Sequence, residues 1–122
     1  MRIAVAGGTG TVGRHVVRVA GDAGSETVVI SRRTGVDLRT GDGLERALEG
    51  VEVIIDTADA GTVDRSKATS FFTAATGHLQ AVGAAQGVSR LVTLSIVGLE
   101  RLPSFGYYQA KLAQEAAALA GP

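Results

Sequence analysis

A tyrosine and a lysine stand four residues apart in Tyr107-Tyr108-Gln109-Ala110-Lys111, within a stretch of helical periodicity. On a helix that spacing puts both side chains on one face. An ammonium beside a phenol favours the phenolate and lowers the tyrosine pKa, as proton transfer near neutrality requires. Tyr107 is therefore the candidate proton donor, with Lys111 as its electrostatic partner. Tyr108, three residues from Lys111, shares the stripe of Leu112 and reads as a packing residue. Ser95 closes the apolar run Arg90–Ser95 at the edge where open α/β sheets bind ligands, and its hydroxyl would suit a substrate carbonyl.

A second constellation lies near the N-terminus. Gly7-Gly8-Thr9-Gly10-Thr11-Val12-Gly13 sits between an apolar run and a helical pattern. Glycines at 7, 10 and 13 permit a tight turn, close approach of a pyrophosphate, and close helix-on-strand contact. The helix that follows offers free N–H groups and the positive end of its dipole to phosphate. Gly7, Thr9, Gly10, Thr11, Val12 and Gly13 are accordingly candidate dinucleotide contacts.

Ser31-Arg32-Arg33 follows the second strand-like run, where an NAD-specific site would carry Asp or Glu about 20 residues beyond the glycines. Two guanidiniums and a hydroxyl suit a 2′-phosphate instead, so the expected cofactor is NADP(H). Asp37-Leu38 is placed to meet an adenine amino group and cover the ring, or Asp37 is an ordinary surface carboxylate. Thr57-Ala58 ends the fourth strand-like run, at the same edge.

These residues need a scaffold, and the chain alternates the two kinds of element that supply one. Ile3–Ala6, Thr27–Ile30 and Val51–Asp56 read as buried strands, Gly35–Leu38 as a short third strand, and Arg90–Ser95 as the fifth. Between them come a helix with Val12, Val16 and Val19 at helical spacing, a short helix over 42–49 with Leu44 and Leu48, and a long helix from about Lys67. The long helix has the stripe Phe72, Ala75, Leu79, Val82 and Gln86, and Gly87 stops it. A last helix begins near Gly106, with Tyr108, Leu112, Ala116 and Leu119 on one side. Alternating strands and helices imply right-handed βαβ crossovers. The expected fold is a Rossmann-type, doubly wound parallel α/β sheet of about five strands in the order 3-2-1-4-5.

Composition narrows the function classes. The 122 residues are 45% hydrophobic and 20% charged, enough for one buried core. Net charge is zero from 12 basic and 12 acidic residues, without a basic stripe, which argues against nucleic-acid binding. There is no cysteine, and two histidines, His15 and His78, are too few for a typical zinc site, so no metal is expected. No apolar run approaches the roughly 18 residues of a membrane span. A strand-like run starts almost at Met1, and the expectation is a cytoplasmic protein.

Together, Gly7–Gly13, Ser31-Arg32-Arg33, Leu94-Ser95-Ile96-Val97-Gly98 and Tyr107-Tyr108-Gln109-Ala110-Lys111-Leu112-Ala113-Gln114-Glu115 resemble an atypical short-chain dehydrogenase/reductase. The NmrA-like NAD(P)H-binding group is the nearest branch, and the resemblance runs in order along essentially the whole chain. It implies NADP(H) binding, a catalytic Tyr107/Lys111 pair with Ser95 as third member, and a small-molecule substrate of carbonyl or quinone type. Members of that family usually continue into a substrate-binding C-terminal region. Residues 1–122 therefore read as the NADP(H)-binding domain alone, as a truncated product, a fragment or a minimal member. The competing function is a non-catalytic NADP(H)-binding regulator that acts through a protein partner, a class that usually lacks the Tyr–Lys pair. With nothing after the last helix, strand 90–95 would keep an unpaired edge, where the chain is expected to self-associate or be marginally stable.

Overall fold

Ile3-Ala4-Val5-Ala6 is apolar without alternation, and β1 (Arg2–Ala6) accordingly lies in the middle of the sheet. It pairs in parallel with β2 (Glu26–Ile30) on one side and β3 (Val53–Asp56) on the other. β4 (Arg90–Thr93) adds in parallel to β3, so the order is β2-β1-β3-β4. The helices are α1 (Gly13–Asp22), α2 (Leu44–Ala47), α3 (Arg65–Ala85) and α4 (Gly106–Ala120), with a 3-10 turn at Arg32–Thr34. The computed structural model describes residues 1–61, 64–94 and 106–120, and of 106–109 and 120 it describes the backbone alone.

α1 covers one face of the sheet and α3 the other, which is the doubly wound Rossmann-type arrangement. On the α1 side Gly8 lies against Val29 and Val17. On the α3 side Gly83 lies against Ile54. That second face carries the main core, in which Ala4, Ala6, Ile30 and Ile54 meet Leu44, Leu48, Ala75 and Leu79. Leu44 and Leu48 are buried together, as their spacing predicts. Asp64 caps α3 by accepting from the Lys67 N–H at 2.9 Å, which fixes where the long helix starts.

Three expectations are corrected. The predicted strand at Gly35–Leu38 is a turn: among the described residues the sheet has four strands, and Asp37 makes an isolated antiparallel bridge to Asp42. Local bonding explains this. Asp37 Oδ1 accepts from the Arg39 N–H at 2.9 Å and the Asp37 carbonyl from the Gly41 N–H at 2.8 Å, and these bonds compete with any ladder.

The stripe assigned to the first helix also does not face the core, since Val12 and Val19 are exposed. Gly13, buried against the glycine loop, sets the rotation of α1 and turns those valines outward. In α4 the buried residues are Ala110, Lys111 and Gln114, while Ala116 and Leu119 face solvent. α4 is laid against α3, where Gln80 donates to the Ala117 and Ala118 carbonyls, and so many alanines leave the sequence little amphipathic contrast.

Candidate functional site

The glycine loop leaves β1 through a bond from the Gly7 N–H to the Ile30 carbonyl, 2.9 Å. Gly7 then takes φ +75°, and a Cβ there would lie 2.8 Å from the Ala58 backbone. A Cβ at Gly13 would run into the Gly7 carbonyl. These two positions admit only glycine, whereas Gly10 would meet one atom, the Gly7 oxygen at 3.3 Å. Gly8, which the spacing argument passed over, is crowded as well, by a side chain: a Cβ would lie 2.9 Å from a Val29 methyl. Thr57 locks the loop from β3, donating its hydroxyl to the Ala6 carbonyl at 2.7 Å. Val12 caps α1 without a side-chain bond, and the Arg14 N–H donates to the Gly10 carbonyl of the loop at 3.1 Å.

Around this loop runs a cleft of about 710 Å³, within the range of small-molecule sites. Gly7, Thr9, Gly10, Thr11 and Val12 line its middle. Because β2 and β3–β4 flank β1 on opposite sides, the remaining lining divides in two. Ser31, Arg32, Arg33, Asp37 and Leu38 stand on the β2 side, and Thr57, Ala58, Leu94 and Lys111 on the other. Gly13 lies beneath the loop and supports it. Sequence reasoning missed Arg39, Asp59 and Phe71, which also line the cleft. The Arg39 guanidinium stands 5.8 Å from the Phe71 ring centre, a contact between segments far apart in the chain that no spacing would reveal. Leu38 is held from behind by His78, whose Nδ1 lies 2.7 Å from the Leu38 carbonyl.

Ser31, Arg32 and Arg33 form the turn that leaves β2. The Ser31 N–H donates to Thr34 Oγ1 at 2.9 Å, while Ser31 Oγ, buried, has no partner among the described residues. Both arginines are exposed at the cleft.

At the other end Lys111 is buried. Its Nζ donates to the Leu94 carbonyl at 3.0 Å and to Gln114 Oε1, and stands 4.4 Å from the Phe72 ring centre. Burial pushes the amine below the usual lysine range, opposed by the charges of Asp56, Asp59 and Glu115. Tyr107 falls in the first turn of α4, one turn before Lys111, and its side chain lies outside the described residues. Ser95 lies outside them altogether.

The family model for the NAD dependent epimerase/dehydratase family matches residues 3–97. The chain belongs to that family. The match names this family and not the NmrA-like branch. Among solved structures, it is similar to dTDP-4-dehydrorhamnose reductase from Yersinia enterocolitica, with TM-score 0.76 and 22% identity over 96% of this chain and 47% of that one. It is also similar to MoeE5 in complex with UDP-glucose and NAD, with TM-score 0.82 and 25% identity over 98% of this chain and 48% of that one. UDP-glucose 4-epimerase from Bifidobacterium longum, in complex with NAD+ and UDP, gives TM-score 0.78 and 18% identity over 98% of this chain and 48% of that one. The chain thus spans about half the length of these epimerase/dehydratase-like structures. Among curated proteins none matches the sequence. Among the described residues no His, Asp and Glu cluster could hold a metal ion, and no helix is long and apolar enough to cross a membrane.

Proposed function

We propose that the chain is the NADP(H)-binding part of an oxidoreductase acting on a small carbonyl or quinone-type substrate. The observation that carries this reading is the continuity of the cleft: one groove joins the Ser31–Arg33 turn, the glycine loop and the Lys111 ammonium. A Cβ at Gly7 would collide with the Ala58 backbone, so the loop keeps this shape only as glycine, and such a loop would let a pyrophosphate approach the backbone closely. Arg32 and Arg33 would grip a 2′-phosphate, with the unpartnered Ser31 hydroxyl as a further donor. The amino end of α1 would face the pyrophosphate.

A bound nicotinamide would supply or accept a hydride. Lys111 would hold the adjoining ribose and favour the phenolate of Tyr107, one turn away. Tyr107 would move the proton to or from the substrate oxygen, and Ser95 would orient that oxygen. Lys111 is buried, and an ammonium there would act more strongly than at the surface.

Calorimetry with NADPH and NADH tests the cofactor. NADPH is expected to bind more tightly. Changing Arg32 and Arg33 together to Ala should cost about 1.5–3 kcal/mol for each charge-assisted hydrogen bond to the 2′-phosphate that is removed, while sparing NADH. A preference for NADH in the unchanged protein would overturn the 2′-phosphate reading. A screen for NADPH oxidation with quinones and aldehydes tests the chemistry. Tyr107→Phe should remove turnover and leave binding nearly intact, and binding without turnover in the unchanged protein would favour a regulator.

A further inference from the structure

The end of β3 holds a carboxylate that the proposed chemistry does not use. Asp56 is 1% exposed. Its Oδ1 accepts from the Ala58 N–H at 3.0 Å, but Oδ2 has no hydrogen-bond partner among the described residues. A carboxylate in that position is costly unless an opposite charge compensates it.

Strand register shows which neighbour it shares with Lys111. Asp56 pairs with Thr93 of β4, and the Leu94 N–H donates to the Asp56 carbonyl at 2.9 Å. The carbonyl of the same Leu94 accepts from Lys111 Nζ at 3.0 Å. One residue therefore ties the backbone of Asp56 to the ammonium of Lys111, and both side chains are buried at the C-terminal edge of the sheet.

We infer that Asp56 is a positioning residue for Lys111, an acidic group inside the sheet that favours the ammonium form of this lysine at the cleft. The inference deepens the reading of Lys111 as the cation that serves ribose and tyrosine, and rests on it for its functional meaning. Its electrostatics do not. Burial drives the Asp56 carboxyl above its usual range, opposed first by the Ala58 N–H and then by Lys111. Burial drives the Lys111 amine down, opposed first by Asp56 and then by Asp59 and Glu115.

Each member of the pair thus favours the charged form of the other. Asp59, from the loop after β3, is exposed, and water screens its field; Asp56 is the carboxylate whose field water screens least. Glu115 acts from the lysine's own helix, and α3 contributes the Phe72 ring, whose face also favours a cation.

Lys67 and Lys111 are the only lysines of the chain, so a pH titration followed by the 13Cε resonances resolves both. Lys67→Arg assigns them. Asp56→Asn removes the charge and keeps an oxygen for the Ala58 N–H. In this variant the Lys111 midpoint should move to lower pH, since the neutral amine is no longer opposed by a buried carboxylate. NADPH affinity should also begin to fall at lower pH than in the unchanged protein.

Should Asp56→Asn not fold, Lys111→Met gives the reciprocal measurement, in which the Asp56 carboxyl 13C resonance should titrate at higher pH than before. Neither NMR titration involves a dinucleotide, so failure of the cofactor reading would leave these shifts in place. An unmoved Lys111 midpoint in folded Asp56→Asn, or an unmoved Asp56 midpoint in Lys111→Met, overturns the inference.

Discussion

Around β1 and β2 the sheet is covered on both faces, whereas beside β3 the strand β4 leaves one face open. Val5 of β1 is fully buried on the α1 side, and Ala4 and Ala6 are fully buried on the α3 side. In β4 only the side toward α3 is shielded, where Leu91 joins the main core. Val92, in register with Ile55 on the opposite face, is 48% exposed, and Leu94 just after it is 44% exposed. The runs Ile3–Ala6 and Leu91–Leu94 look alike in sequence, but their burial differs because α1 packs on β1 and β2. Apolar content states a demand for cover, and neighbouring elements decide whether it is met. The glycine loop belongs to the covered half and the lysine end to the open half.

The largest effect is expected where the covered half is tightest. Gly13→Val would press a branched side chain into the Gly7 carbonyl, forcing α1 away from the loop. A destabilisation above about 4 kcal/mol, the range of severe core disruption, is expected in denaturant unfolding. Gly21→Ala, with nothing within 4 Å, is the control and should cost nothing. If the two variants unfold alike, crowding does not set the position of α1.

Next comes the shared core. Leu79→Ala removes a fully buried side chain of α3 and should cost about 2–5 kcal/mol. The same unfolding experiment measures it, and a cost below about 1 kcal/mol, well under that range, would show that α3 is loosely seated.

The smallest effect on stability belongs to the open half. Val92→Thr keeps the β-branched shape and should stay within about 0.5 kcal/mol of the unchanged protein. The exposed valine is expected instead to act between molecules, since an apolar edge strand invites pairing with another chain. Val92→Lys should lower the association seen by sedimentation without lowering the melting temperature. A monomeric unchanged protein at high concentration would remove this reading of the edge.

Much of the fold was legible because it is written in local patterns. The glycines at 7 and 13, between an unalternating apolar run and a helical one, determined the strand-turn-helix unit. Leu44 and Leu48 marked the face of α2, and Gly87 marked the end of α3. The residues proposed for the cofactor, Gly13 apart, line one groove; those of the glycine loop, Ser31 and Thr57 follow the C-terminal ends of parallel strands, as the order of elements already implies.

The tertiary structure decided what depends on residues distant in the chain. Contact of Gly13 with the glycine loop rotated α1 and exposed Val12 and Val19. Side-chain and backbone bonds of Asp37 replaced the strand at Gly35–Leu38 with a turn. Docking on α3 selected Ala110, Lys111 and Gln114 as the buried line of α4, against the stripe that hydrophobicity suggested. Asp56 showed the widest gap, since in sequence it is only the polar end of a strand. Pairing with β4 gave it a shared neighbour with Lys111 in Leu94, because burial and electric field are set by what surrounds a group in space and not by its neighbours along the chain.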